Sequence, residues 1–186
     1  MDATDLIEPS RTQGERPRVL IVEPNRSYLA VLARRISAAG YRVTTAADAH
    51  AAIAELHRAP TNCLLSELGL KGTTGVELVR IIRDDPVHHD LPLILMGGRS
   101  EATAAVRALQ AGADDVVRKP FDFDVLVARI GRQIDRARSV NELRVANAAL
   151  DARVVTRAIE LGEMRDRWVR SEAERRRLEA LVRQAA

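Results

Sequence analysis

Four short β-rich runs in this chain lead into residues that can do chemistry. Val19-Leu20-Ile21-Val22 leads into Glu23-Pro24, Cys63 to Ser66 into Glu67, Leu93 to Met96 into Gly97-Gly98, and Asp115 to Arg118 into Lys119-Pro120. If the runs lie side by side, two carboxylates and one ammonium group share a cleft. Such a set holds a hard divalent cation only where about six oxygens converge. Otherwise the ammonium pairs with the carboxylates and keeps them from being stranded as bare charges. A second group, His88 and His89 with Asp84, Asp85 and Asp90, has the residue types of a metal site. It shows no Cys and no regular ligand spacing, so these residues read as a loop and turn.

The positioning elements follow from an alternation of β-rich and amphipathic segments that starts at Arg18. After the first apolar run, Leu29, Leu32 and Ile36 fall on one helical face and Gly40 closes the segment. The unit recurs: Tyr41 to Thr45 as strand and Ala47 to Arg58 as helix, then Cys63 to Ser66 and Val76 to Arg83. Leu93 to Met96 is followed by a helix over Ala102 to Ala111, and Asp115 to Arg118 by a helix beginning at Asp122. Strands that are continuously apolar are buried on both faces, which predicts a doubly wound α/β domain with a five-stranded parallel sheet. In such sheets ligands collect at the carboxyl ends of the strands, where Glu23-Pro24, Glu67, Gly97-Gly98 and Lys119-Pro120 stand.

Between about residues 17 and 138 the chain resembles the CheY-like receiver family of response regulators. The resemblance rests on Val19-Leu20-Ile21-Val22-Glu23, on Leu68-Gly69-Leu70-Lys71-Gly72 followed by Gly75, and above all on the run from Gly112-Ala113-Asp114-Asp115 to Lys119-Pro120-Phe121. It implies a flavodoxin-like strand order 2-1-3-4-5. It also implies a phosphoryl-accepting Asp after the third strand, an acidic pair holding Mg²⁺ after the first, a Ser or Thr after the fourth and a Lys after the fifth. Such an array neutralises the charge of a transferring phosphoryl group.

Several of these positions depart from the family. Counting back from Gly75 places Glu67 at the acceptor position, one methylene too long for the in-line geometry of an Asp. Pro24 replaces the second acidic residue beside Glu23, and Gly97 replaces the hydroxyl residue. Val116 stands where many members carry an aromatic switch residue. Lys119 and Pro120 are retained, with the cis bond the family implies. The resemblance therefore points to a degenerate receiver with weak or absent Mg²⁺ binding, no cofactor and no catalytic residue. Lys119 faces Glu67 either as a plain ion pair or as an imitation of the phosphorylated state. The corner at Gly97-Gly98 reads as a loss without replacement.

Beyond Phe121 there is no Pro and only Gly131 and Gly162, so one helix can run to the end. Counting in sevens gives one seam of Val140, Asn147, Val154, Leu161, Trp168, Arg175 and Val182, and a second of Leu143, Leu150, Arg157, Met164, Ser171, Leu178 and Ala185. This heptad pattern predicts a coiled coil, and the in-register Asn147 with β-branched Val140 and Val154 favours a parallel homodimer. Arg157 and Arg175 weaken the seam. No basic block precedes the heptads, so DNA binding of the basic-zipper kind is not expected.

Composition narrows the remaining classes. Basic residues number 29 against 26 acidic, a net charge of +3, which gives nucleic acid little to bind. A single cysteine, Cys63, forms no internal disulfide and suits the cytoplasm. No run is apolar enough to span a bilayer. The expected organisation is a disordered leader over 1–17, a receiver-like domain over 18–138 and a dimeric coil over 139–186. The expected role is a non-enzymatic, bacterial-type signalling adaptor that contacts another signalling protein. The alternatives are a chemically active receiver that takes phosphate on Glu67, and the phosphorylatable or regulatory N-terminal part of a larger histidine kinase or cyclase signalling protein.

Overall fold

The computed structural model describes residues 16–98 and 101–185, with the side chains at 178, 179, 184 and 185 set aside. Most of the expected leader, and the Leu178 side chain of the seam, lie outside the described residues.

Five strands, β1 (Arg18–Val22), β2 (Arg42–Ala46), β3 (Cys63–Glu67), β4 (Leu93–Gly97) and β5 (Asp115–Arg118), alternate with five helices. These are α1 (Arg26–Ala38), α2 (Ala49–Arg58), α3 (Gly75–Asp84), α4 (Ala102–Gln110) and α5 (Phe123–Ala185). The sheet is parallel throughout, in the order β2-β1-β3-β4-β5. The expected α/β fold and strand order are therefore observed.

Successive strand residues point to opposite faces and divide the core in two. Leu20 and Val22 of β1 pack with Leu64, Leu78, Val79, Ile82, Leu93 and Leu95 under α2, α3 and α4. Val19 and Ile21 join Leu32, Ile36, Leu65, Ile94, Met96, Leu126 and Ile130 under α1 and the start of α5. Covering both faces is what made the strands read as unbroken apolar runs.

Element boundaries follow from caps. α2 begins at Ala49, two residues later than its amphipathic pattern suggests, because Asp48 turns its carboxylate to accept the Ala51 N–H at 2.8 Å. Asp122 caps α5 in the same way, accepting the Asp124 N–H at 2.7 Å. α3 starts with a capping box in which Thr74 Oγ1 accepts the Glu77 N–H and Glu77 accepts the Thr74 N–H. At the first residue of α3, a Cβ on Gly75 would lie 2.8 Å from the Glu67 carbonyl oxygen. Only glycine lets the helix start that close to the end of β3, which fixes where Glu67 sits.

The most specific sequence run has a structural role of its own. Asp114 Oδ2 accepts the Leu93 N–H at 2.9 Å and the Arg83 guanidinium at 2.7 Å, joining β4, α3 and the entry to β5. Arg83 also donates to the carbonyls of Gly112, His89 and Leu91 at 2.7–2.8 Å. Gly112 adopts a φ of 106° beside that side chain, a conformation glycine takes without a steric cost.

The chain divides into two compact units at Arg138 and Ser139. Leu126, Ile130 and Ile134 of α5 belong to the core of the first. In the second unit, the described seam residues Val140, Leu143, Leu150, Val154, Leu161, Met164, Trp168 and Val182 are all exposed in the single chain, as is Asn147. Arg175 pairs along its own helix with Glu172 at 2.9 Å. Among the described residues, no helix is long and apolar enough to cross a membrane.

Candidate functional site

The carboxyl ends of β1, β3, β4 and β5 converge on one cleft. Backbone bonds hold its rim: the Lys119 N–H donates to the Gly97 carbonyl at 2.8 Å, the Leu68 N–H to Met96 at 2.7 Å and the Glu23 N–H to Ala46 at 3.1 Å. The Lys119-Pro120 bond is cis.

At the centre lies the Lys119 ammonium. It donates to Glu23 Oε2 at 3.1 Å and, in a shorter contact, to Glu67 Oε2. Its Nζ also sits 4.3 Å from the ring centroid of Tyr28, on the first turn of α1. Glu23 is only 4% exposed, and its other oxygen accepts the Asn25 N–H at 2.9 Å. One cation therefore answers two carboxylates in a semi-buried place.

The titration directions reflect this crowding. Burial pushes the Glu67 carboxyl above its ordinary range, more than the Lys119 bond lowers it, and the neighbouring Glu23 adds to the rise. Burial pulls the Lys119 ammonium down, but its bonds to Glu67 and Glu23 together outweigh that and hold it above the usual lysine value. Burial likewise raises the Tyr28 hydroxyl, against the opposing pull of Lys119.

A magnesium ion does not fit this donor set. Both Glu23 oxygens are engaged, and the facing oxygen of Glu67 is taken by Lys119. Pro24 brings no donor. Mg²⁺ keeps several waters and is held by one or two carboxylates, so here it would have to displace the Lys119 ammonium from Glu23 and Glu67.

The corner at Gly97 is where the sequence reading needs correction, because the space is not left empty. Glu101, at the foot of α4, turns its carboxylate back so that Oε2 accepts the Gly98 N–H at 2.5 Å. A Cβ added to Gly97 would meet that oxygen at 3.1 Å and Leu68 Cδ2 at 3.0 Å. A Cβ added to Gly69, on the opposite wall, would meet Glu101 Oε1 at 2.9 Å. The missing side chain thus makes room for a third carboxylate. Sequence reasoning missed Glu101 because it lies four residues past Gly97, on the next element; the adjacent glycines were the only hint.

Val116 is partly buried against the core on the side of α4. His88 and His89 lie in the connection after α3 and do not enter the cleft. Cys63 is fully buried in β3, and burial raises its thiol pKa strongly.

A family model described as the response regulator receiver domain matches residues 19–131. The phosphate regulon transcriptional regulatory protein PhoB of Rhizobium meliloti is 33% identical over 122 residues, covering 66% of this chain and 54% of that protein. The DNA-binding transcriptional regulator NtrC of Salmonella typhimurium is 36% identical over 120 residues, 64% of this chain and 25% of its own. The chain spans from about a quarter to about half of the length of the curated relatives it matches first. Among solved structures, NtrX from Brucella abortus in complex with ADP superimposes with a TM-score of 0.65 at 25% identity, over 69% of this chain and 29% of that one. A CheY-like receiver domain protein from Methanospirillum hungatei gives 0.62 at 25%, over 67% of this chain and 98% of that one.

Proposed function

We propose, from the premise that this chain belongs to the response regulator receiver family, that it is a receiver which signals without taking phosphate. It acts as an adaptor, presenting its surface to another signalling protein while its C-terminal helix holds two copies together. The observation that carries the reading is the Lys119 ammonium bound by both Glu23 and Glu67. In-line transfer needs a carboxylate oxygen free to attack, a metal beside it and an ammonium free to meet the phosphoryl oxygens. Here Lys119 engages one Glu67 oxygen, Glu67 is a methylene longer than Asp, and Pro24 contributes no ligand.

Glu67 then serves as a permanent anion on Lys119. As a mimic of the phosphorylated state it is incomplete, because a carboxylate carries less charge than a phosphate and Gly97 has no hydroxyl to follow it. The dimer reading is supported by the exposed heptad seam, where Leu143 is 65% and Trp168 66% exposed in the single chain. A stripe of that kind is normally covered by a partner, and a seam with Asn147 in register pairs best with its own copy.

The test is a titration of the isotopically labelled protein with MgCl₂, followed at the backbone amides of Glu67, Gly69 and Gly98. The expected outcome is no saturable shift at millimolar Mg²⁺. A saturable shift at these amides would overturn the reading.

A further inference from the structure

Outside the cleft, one group of side chains carries the geometry of a site. His57 near the end of α2, Asp85 at the end of α3 and His88 in the following turn each offer one ligand atom, all within 4.8 Å of one another. Asp85 Oδ2 is the pivot, 2.7 Å from His88 Nδ1 and 3.6 Å from His57 Nε2. The two imidazole rings meet edge to face at 5.2 Å.

We propose that His57, Asp85 and His88 form a binding site for a borderline divalent transition ion, zinc in the first instance, closed by water as the fourth ligand. Two imidazoles and one carboxylate are a donor set for such ions and a poor one for Mg²⁺ or Ca²⁺. With metal–ligand bonds of about 2.0–2.2 Å, tetrahedral ligands stand roughly 3.3 Å apart. The 2.7 Å contact has to open by roughly 0.6 Å and the 3.6 Å contact to close by roughly 0.3 Å, while the ligand nitrogens of the two rings, within 4.8 Å of each other, draw together by side-chain rotation.

The surroundings orient these ligands. His57 Nδ1 lies 2.9 Å from the Ile53 carbonyl, which can only accept, so Nδ1 carries a hydrogen and Nε2, on the Asp85 side, is the nitrogen left to take an ion. Asp85 Oδ1 accepts the Val87 N–H at 2.9 Å and fixes the carboxylate plane. The nearest cation in sequence, Arg58, is engaged with Glu55 at 2.9 and 3.0 Å. In the metal-free protein His88 Nδ1 donates its hydrogen to Asp85. On binding, that hydrogen moves to Nε2 and the Nδ1 lone pair takes the ion, while zinc gives up aqua ligands for two nitrogens and one oxygen. The ion then ties the end of α2 to the connection between α3 and β4.

The experiment is calorimetric titration of untagged full-length protein with ZnCl₂, beside His57→Ala and Asp85→Asn, with the His57 and His88 ring resonances followed by NMR. His57 has a 60% exposed side chain, so its removal leaves the fold intact. The expected result is one zinc per chain, shifts at both rings, and at least about tenfold weaker affinity in each variant. No zinc binding, or equal affinity in wild type and His57→Ala, would show that the three residues are only a hydrogen-bonded turn and would overturn the site.

Discussion

Glu101 places its Oε2 3.1 Å from the point where a β-carbon on Gly97 would stand, and the same oxygen accepts the Gly98 N–H at 2.5 Å. The carboxylate and a side chain at 97 therefore compete for one volume. Gly97→Thr is expected to lower stability by about 1–3 kcal/mol through overpacking against Glu101 and Leu68. Part of that loss returns in the double variant with Glu101→Ala. Urea unfolding of the four proteins of this cycle measures the coupling, expected to exceed about 0.5 kcal/mol. Strict additivity would show that Glu101 does not fill the corner.

Lys119 is expected to contribute to the alkaline loss of stability of the first unit. Its pKa is raised in the folded protein, so the stability it contributes is fully present below the ordinary lysine value and is lost as the pH climbs through the raised folded value. Tyr28 is also raised and titrates in the same region with the same sign. Stability measured from neutral pH upward is thus expected to fall in wild type and to fall less steeply in Lys119→Met, with Tyr28→Phe removing a separate part. At neutral pH, Lys119→Met leaves Glu23 and Glu67 facing each other without a cation. Allowing for the solvent that reaches this half-buried cluster, the loss is about 1–3 kcal/mol. An alkaline profile identical in wild type and Lys119→Met would contradict the assignment.

Glu67 has the opposite acid-side character to a salt-bridged carboxylate. Its folded pKa is raised, so stability from this group is present below the ordinary glutamate value and declines as the pH rises through the raised one. A side-chain carboxyl NMR titration should find Glu67 titrating above the exposed glutamates, and higher still in Lys119→Met. A midpoint below the ordinary glutamate range would mean that the Lys119 bond outweighs burial.

Much of this was legible in the sequence where local pattern and tertiary need agree. The unbroken apolar runs from Val19 and Leu93 announced a sheet covered on both faces, and counting back from Gly75 found Glu67 because no other residue lets α3 start against that carbonyl. Glu101 was not legible, since its role depends on a side chain turning back from the following helix into space left by two glycines. His57 was hidden for a related reason: it lies on α2, and only the packing of α2 beside α3 brings it to Asp85 and His88. The start of α2 was misplaced because periodicity does not register the carboxylate cap made by Asp48.

Arg83 is expected to be the most sensitive charged position away from the cleft. Its guanidinium joins three carbonyls and Asp114 at 2.7–2.8 Å, a planar fork that an ammonium does not reproduce. Arg83→Lys should cost about 1–2 kcal/mol in chemical denaturation, as the part-buried carbonyls of Gly112 and Leu91 lose charged donors while the bonds to His89 and Asp114 are open to solvent. A change within about 0.5 kcal/mol would place the network among the dispensable surface contacts.

The proposed dimer would be held by the exposed heptad seam of α5. Leu150→Arg and Leu161→Arg each put a charge where two chains are expected to meet, and light scattering should report a monomer for both. Leu150 and Leu161 are exposed in the single chain, so neither change disturbs the first unit. A dimer unchanged by both substitutions would locate the interface elsewhere.

The most direct measurement is the intact mass of the protein after incubation with acetyl phosphate and Mg²⁺, beside a variant carrying Glu67→Asp and Pro24→Asp. No phosphoryl adduct is expected on the wild-type chain, and any adduct on the variant would locate the defect in those two residues. A phosphoryl adduct on wild type, lost when Glu67 is replaced by Gln, would contradict the proposed function.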